Sequence, residues 1–175
     1  ARTAIATPNQ IVIEPGGSIT GGQGLLIWSL NYDVINNGTI SGAAADKIGI
    51  AGSSNIAVLF KGDTSTAYGT PITTAGAVNR LTNAGTISSP GTAIKAEAGD
   101  TVITNNPGGT ISGVVAIQTG SGNDTVTMNG GRISGTIDLG TGTDSVDIAG
   151  GAAARLDISL NRNTMNTASV INVET

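Results

Sequence analysis

Two glycine-rich segments, 20 residues apart, carry the residue types best suited to chemistry. Residues 120–124 read GSGND and residues 140–144 read GTGTD, so the segments end in Asp124 and Asp144. Carboxylates and carbonyl oxygens are the ligands that Ca²⁺ prefers, and each segment matches half of the calcium-binding pattern GGxGxDxUx. In that pattern the copies follow one another about every nine residues, so that consecutive turns face each other across one ion. The wider spacing here favours structural corners, with calcium binding at Asp124 and Asp144 as the alternative.

A wider set of carboxylates suggests a second chemistry. The last third of the chain contains Asp124, Asp138, Asp144, Asp147 and Asp157. Two carboxylates about 5–9.5 Å apart on one face can hydrolyse a glycosidic bond, and Asp138 and Asp144 lie on neighbouring predicted strands. The aromatic side chains that would stack against a sugar all lie in the first half of the chain, and there is no histidine to act as a general base. We therefore predict no catalytic residue and no enzyme activity. A polysaccharide-active enzyme is the third hypothesis for the function, behind two non-enzymatic ones.

The composition limits the classes of partner. The 175 residues include 27 glycines but only 11% charged and 2% aromatic residues, with a net charge of −4 and no cysteine. The eight lysines and arginines are scattered singly, so the sequence shows no basic patch for a nucleic-acid backbone. Without cysteine there is no disulfide framework or thiolate metal site, and the longest apolar run, residues 24–30, is far shorter than the roughly 20 residues of a membrane helix. We predict no nucleic-acid partner, no membrane insertion by this segment and no cofactor, calcium aside.

A short sequence motif, called the phrase below, recurs along the chain and predicts how these residues are positioned. The phrase Gly–Thr/Ser–Ile–Ser/Thr, or a close variant, is centred on Ile19, Ile40, Ile87, Ile111 and Ile133, in steps of 21, 47, 24 and 22 residues. Short runs rich in β-branched residues recur between these positions, and no long stretch has the period of a helix. Repeats of this length are typical of a solenoid. We predict an all-β fold, a right-handed parallel β-helix (β-solenoid) with coils of about 22 residues.

Equivalent positions of stacked coils form ladders about 4.8 Å apart. Because side chains alternate across a strand, the central isoleucine of each phrase points inward and its neighbours point outward. We predict one interior ladder of Ile40, Ile87, Ile111 and Ile133. We predict one outer ladder of Thr39, Thr86 and Thr110.

Asparagines at the preceding corner are predicted to form a further ladder. Asn36, Asn83 and Asn129 each lie four residues before the aligned isoleucine. Asparagine tolerates the left-handed conformation of such a corner, and its amide can bond the next coil. Asn105 lies six residues before its isoleucine, which indicates a two-residue insertion. Contact with a glycan is the functional alternative for these asparagines.

The repeats also predict the organisation of the chain. We expect an N-terminal coil or cap region at residues 1–33, the parallel β-helix at residues 34–160, and a C-terminal coil or the start of a further coil at residues 161–175. The step of 47 residues leaves open whether residues 41–86 form one coil or two. A polar, turn-rich segment predicts a long loop near residues 61–79.

The amino-acid sequence of the later coils resembles the passenger region of bacterial autotransporters. The resemblance rests on GSGNDTVTMNGG at residues 120–131, on ISGTIDLGTGTDSV at residues 133–146 and on INVET at residues 171–175, and it covers roughly residues 34–175. It implies a β-helix exported by type V secretion, which is displayed on the bacterial outer membrane or released outside the cell.

Two functions of different classes follow. The resemblance implies an extracellular or surface-displayed structural or adhesive stalk, whose partners are a host or neighbouring cell surface or its glycans. The alternative is a subunit of an extracellular filament that binds itself end to end, because open β-helix ends expose unpaired strand edges and head-to-tail contacts extend without closing. Trp28 and Tyr32 are predicted to cap one end of the β-helix or to fill its core.

Overall fold

The fold is seen in a computed structural model that describes part of the chain. The described residues are 9–21, 23–27, 32–42, 56–61, 66–67, 70–71, 78–149, 155–157 and 168–171. All regular structure in these segments is β-strand. Within them, no helix has the length and apolar character needed to cross a membrane.

The described segments contain short strands separated by tight corners. Their bounds are β1 (Asn9–Ile13), β2 (Ser18–Gly21), β3 (Gln23–Ile27), β4 (Tyr32–Asn36), β5 (Thr39–Gly42), β6 (Ile56–Phe60), β7 (Thr66–Ala67), β8 (Thr70–Pro71), β9 (Val78–Asn83), β10 (Thr86–Ser88), β11 (Thr92–Ala96), β12 (Asp100–Asn105), β13 (Thr110–Gln118), β14 (Thr125–Met128), β15 (Arg132–Asp138), β16 (Asp144–Ile148), β17 (Arg155–Asp157) and β18 (Ala168–Ile171).

The strands form two large sheets, which we call sheet A and sheet B. Sheet A has seven strands in the order β1-β4-β9-β12-β14-β16-β18. Sheet B has two arms: β2, β5 and β10 lead to the first half of β13, and β3, β6 and β11 lead to its second half. The pairing continues from β13 to β15 and from β15 to β17. The strand pairs of both sheets are parallel.

The chain therefore visits sheet A, the first arm and the second arm in turn, and each visit to all three completes one coil. In β13 a register shift between Ser112 and Val115 marks a β-bulge where the chain passes from one arm to the other. Parallel strands stacked in this way confirm the predicted β-solenoid and its coil length.

The 47-residue step between Ile40 and Ile87 reflects an insertion in the second coil, which begins with β4. Ile40 pairs directly with Ile87, and Asn36 pairs directly with Asn83, so residues 41–86 form one enlarged coil rather than two. β6 supplies its middle strand. Of the loop predicted at residues 61–79, the described part contains the small antiparallel pair β7–β8, and the last two positions, Val78 and Asn79, belong to β9 instead.

The core lies inside the coils and is built from aligned aliphatic side chains. Ile40, Ile87, Ile111 and Ile133 stand in one register and are each 0% exposed. The register continues to Ile19 on one side and to Leu156 on the other. Each fully buried isoleucine contributes about 1.5–3 kcal/mol of burial free energy, so this ladder is a main source of cohesion between coils.

Candidate functional site

The acidic segments predicted from the sequence form a corner that leads into sheet A, which we call the acidic corner (residues 119–124 and 139–144, with Asp100). Asp124 immediately precedes β14 and Asp144 opens β16, and their side chains point inward, 1% and 3% exposed. Gly122 and Gly142 turn the chain here with φ angles of 142° and 148°, a conformation that favours glycine. The two turns touch through the bridge between Ser121 and Thr141.

Two sets of side-chain hydrogen bonds run through this corner in opposite directions. The amide of Thr101 donates to Oδ1 of Asp124 at 2.8 Å, and the amide of Asp124 donates to Oδ1 of Asp144 at 3.0 Å. On the outer side, the amide of Asn123 donates to Oδ1 of Asp100 at 2.8 Å, and the amide of Thr143 donates to Oδ1 of Asn123 at 3.0 Å. Each acceptor therefore holds the corner of one coil to the corner of a neighbour.

The electrostatic environment of Asp124 is unfavourable for its charge. Burial raises its pKa, and the like charges of Asp144 and Asp100 raise it further, which outweighs hydrogen bonding to Thr119 and to the Thr101 amide. The hydroxyl oxygen of Thr119 and Oδ2 of Asp124 are both buried, yet neither completes a hydrogen bond of normal geometry.

The corner is better suited to structure than to binding a cation. Ca²⁺ needs six to eight oxygen ligands, whereas Oδ1 of Asp124 and Oδ1 of Asp144 already accept main-chain hydrogens. In the described part of the chain, no three acidic, histidine or cysteine side chains are grouped so that they could hold a metal ion. Calcium binding at Asp124 and Asp144 has no further support from this geometry.

The remaining aspartates of the acidic group are separated. Asp138 ends β15, where its Oδ1 accepts a hydrogen from the amide of Gly140 at 3.2 Å. Asp147 pairs with Thr127 on the outer face of sheet A, and Asp157 pairs with Ser134 in sheet B. Because Asp144 is buried, Asp138 and Asp144 do not share an outer face. The carboxylate pair on which the polysaccharide-active hypothesis depended is not formed by these two residues.

A second polar ladder lies inside the solenoid and corrects one prediction. Nδ2 of Asn36 donates to Oδ1 of Asn83 at 2.8 Å, and Nδ2 of Asn83 donates to Oδ1 of Asn105 at 2.8 Å. All three side chains are 0% exposed. Asn129, which was predicted to belong to this ladder, is exposed instead and donates to Asn106 at 3.2 Å. The position inside the next coil is taken by Met128, the strand partner of Asn105.

The ladder also satisfies main-chain carbonyls at the corner. Asn105 donates to the carbonyl oxygens of Gly109 and Gly130 at 3.2 and 3.3 Å, and Asn36 donates to that of Thr86 at 3.2 Å. The asparagines are thus committed to bonds within the solenoid, which leaves glycan contact without support at Asn36 and Asn83.

Other residues were not singled out from the sequence. Glu97 forms ion pairs with Lys61 and Lys95 where the strands β6 and β11 of the second arm end. Partial burial alone would raise the pKa of Glu97, but the two lysines lower it overall. Thr119, the partner of Asp124, gave no repeat signal because no other corner repeats it. Of the predicted aromatic cap, Tyr32 is half-buried against the core, and Trp28 lies outside the described residues.

Comparisons with known proteins add no relative. No family model, curated protein or solved structure matches this chain.

Proposed function

We propose that this chain is a structural and adhesive rod that is displayed or released outside the cell. The proposal rests on what the buried polar side chains bind. The buried asparagines and aspartates that could bind ligands or catalyse reactions bond one coil to the next. These buried polar groups thus serve the regularity of the solenoid, which is the property that a spacer or display element needs.

The outer faces support the same proposal. The outward positions of the first arm are mainly serine and threonine, which remain hydrated and do not need a partner in order to fold. The wording of the coils, which resembles autotransporter passengers, supports export by type V secretion.

Location is tested on cells that carry the gene. An antibody against the purified chain is expected to label intact cells as strongly as permeabilised ones, and external protease is expected to remove the signal. A periplasmic marker of the same cells serves as the control, because it must be labelled only after permeabilisation. Labelling of the chain that follows the marker would contradict the proposal.

Adhesion is tested separately with the purified chain. Beads coated with it are expected to attach to cells of the same or another species more often than beads coated with unrelated protein of similar charge. Equal attachment would remove the adhesive role and leave a passive stalk.

A filament subunit is the second candidate, and the sheet edges favour it. Among the described strands, β1 and β18 lie at the two edges of sheet A with one neighbour each. Unpaired edges of this kind can pair with another copy. Electron microscopy and sedimentation over a range of concentrations are decisive: filaments that lengthen with concentration support this candidate, and short monodisperse rods exclude it.

A further inference from the structure

The outer surface of the first arm carries a regular array of hydroxyl groups. Four successive strands, β2, β5, β10 and β13, place a serine or threonine at both outward positions on either side of the central isoleucine. One column consists of Ser18, Thr39, Thr86 and Thr110. The other consists of Thr20, Ser41, Ser88 and Ser112. We call these two columns the hydroxyl face. The next strand ends the array, because Arg132 follows Thr110 in register.

The array is open to solvent. Ser18, Thr20 and Thr86 are exposed, and the other members are partly exposed. Three members of the first column are each directly preceded by a glycine, namely Gly38, Gly85 and Gly109. No side chain therefore projects beside the column at these positions. A side chain at Gly85 would collide with the main chain of Gly38 in the coil beside it, and the close stacking of the coils therefore preserves this border.

Backbone geometry fixes the spacing of the hydroxyl groups. Adjacent strands of a parallel sheet are about 4.7–4.9 Å apart, and two successive outward residues of one strand are separated by about 6.6 Å. Threonine is restricted at χ1, and the isoleucines that lock each rung from inside are fully buried in three of the four strands. The face therefore presents a two-dimensional lattice whose repeat is set before any partner binds.

The chemistry of this lattice selects its partner. Its eight positions carry no ionisable group, so charge complementarity favours a neutral partner. A hydrogen bond exchanged with water contributes only about 0.5–1.5 kcal/mol, and a flexible partner would lose ordering entropy on binding. Useful affinity requires many such contacts at once, and hence a rigid partner with a matching repeat. Along one direction of its surface planes, the oxygen atoms of hexagonal ice repeat at a distance close to the spacing between adjacent strands of the face.

We propose that the hydroxyl face binds ice. The hydroxyl groups and threonine methyl groups hold the first layer of water at positions that merge with the crystal lattice, and the summed contacts keep the rod on the ice surface. Ice binding is a property of the purified chain and does not depend on the cellular location proposed above, so this inference goes beyond the proposed function.

The test uses the fluorescently labelled chain in a slowly freezing solution. We expect it to enter the growing ice while a labelled reference protein is excluded, and to stop crystal growth within a measurable temperature gap below the melting point. The array variant carries Thr86→Tyr and Thr110→Tyr, which place two bulky rings on adjacent rungs of the face. Its incorporation into ice is expected to fall to that of the reference protein.

The matched control carries Thr104→Tyr and Thr127→Tyr, which are also adjacent, partly exposed rungs but lie on the outer face of sheet A. It is expected to enter ice like the unmodified chain. Circular dichroism melting of all three proteins establishes that they are folded, and the milder pair Thr86→Ala and Thr110→Ala replaces the array variant if the rings prevent folding. Exclusion of the unmodified chain from ice overturns the proposal, as does equal loss in array and control variants. Binding to crystalline cellulose without binding to ice also overturns it.

Discussion

Nδ2 of Asn83 donates a hydrogen bond to Oδ1 of Asn105, one coil further along the solenoid, over 2.8 Å, and both side chains are fully buried. A hydrogen bond in this setting matters mainly through what its loss leaves behind, because a buried polar atom without a partner keeps its full desolvation cost. The asparagine ladder therefore links the free energies of neighbouring coils.

Replacing Asn83 with alanine tests that link. Oδ1 of Asn105 loses its donor, and we expect the free energy of unfolding to fall by about 1–3 kcal/mol in urea denaturation. Asn129→Ala is the control, because Asn129 is exposed and surface changes usually stay within about 0.5 kcal/mol. Equal effects of the two substitutions would show that the buried ladder is energetically unimportant.

The isoleucine ladder predicts a larger effect. Ile111→Ala removes a fully buried side chain between Ile87 and Ile133, and we expect a loss of about 2–5 kcal/mol. Val114→Ala lies in the same strand but at a position 73% exposed, so it should cost little. If the two melting curves coincide, the assignment of Ile111 to the interior is wrong.

The pKa of Asp124 predicts a dependence of stability on pH. Because its folded pKa is raised above the unfolded value of 3.8, its contribution is fully present below that value and is lost as the pH rises through the folded pKa. Asp124→Asn removes this loss and retains an oxygen for the amide of Thr101. The unfolding free energy of the variant relative to the unmodified chain is therefore expected to increase from acid towards neutral pH.

Glu97 supplies the opposite case. Its folded pKa lies below the ordinary value of 4.5, so its contribution is present above that value and is lost as the pH falls through the folded pKa. Glu97→Gln should be less stable than the unmodified chain at neutral pH and equal to it in acid. The same trend with pH for both variants, in denaturation curves measured across this range, would contradict the two assignments.

The close stacking of corners predicts intolerance at Gly85. A Cβ atom there would meet the carbonyl oxygen and nitrogen of Gly38, which are main-chain atoms that cannot rotate away. Gly85→Ala is expected to lower stability by about 1–3 kcal/mol through overpacking. Ala84→Ser at the adjacent, partly exposed position is the control, and a thermal melt that ranks it as the more damaging change would contradict the packing described here.

The repeats predicted the solenoid and the interior isoleucines because each coil repeats the same short phrase around a buried position. Aligning the asparagines by their distance from the isoleucine gave a wrong prediction for Asn129, because strand pairing fixes the register whereas the corners vary in length. Asn83 lies four residues before its isoleucine, Asn105 lies six before and Met128 lies five before. The contact of Thr119 with Asp124 could not be predicted, because it joins two sides of a single corner and leaves no periodic trace.

The equivalence of Ile87, Ile111 and Ile133 has a consequence for how such a chain changes over generations. A duplication or deletion that runs from one of these codons to the next adds or removes a complete coil, and the flanking rungs can meet again in register. Corners absorb the odd residue that inaccurate recombination leaves. The length of the rod is therefore inherited in whole steps of about 4.8 Å, and lineages can adjust its reach without designing a new fold.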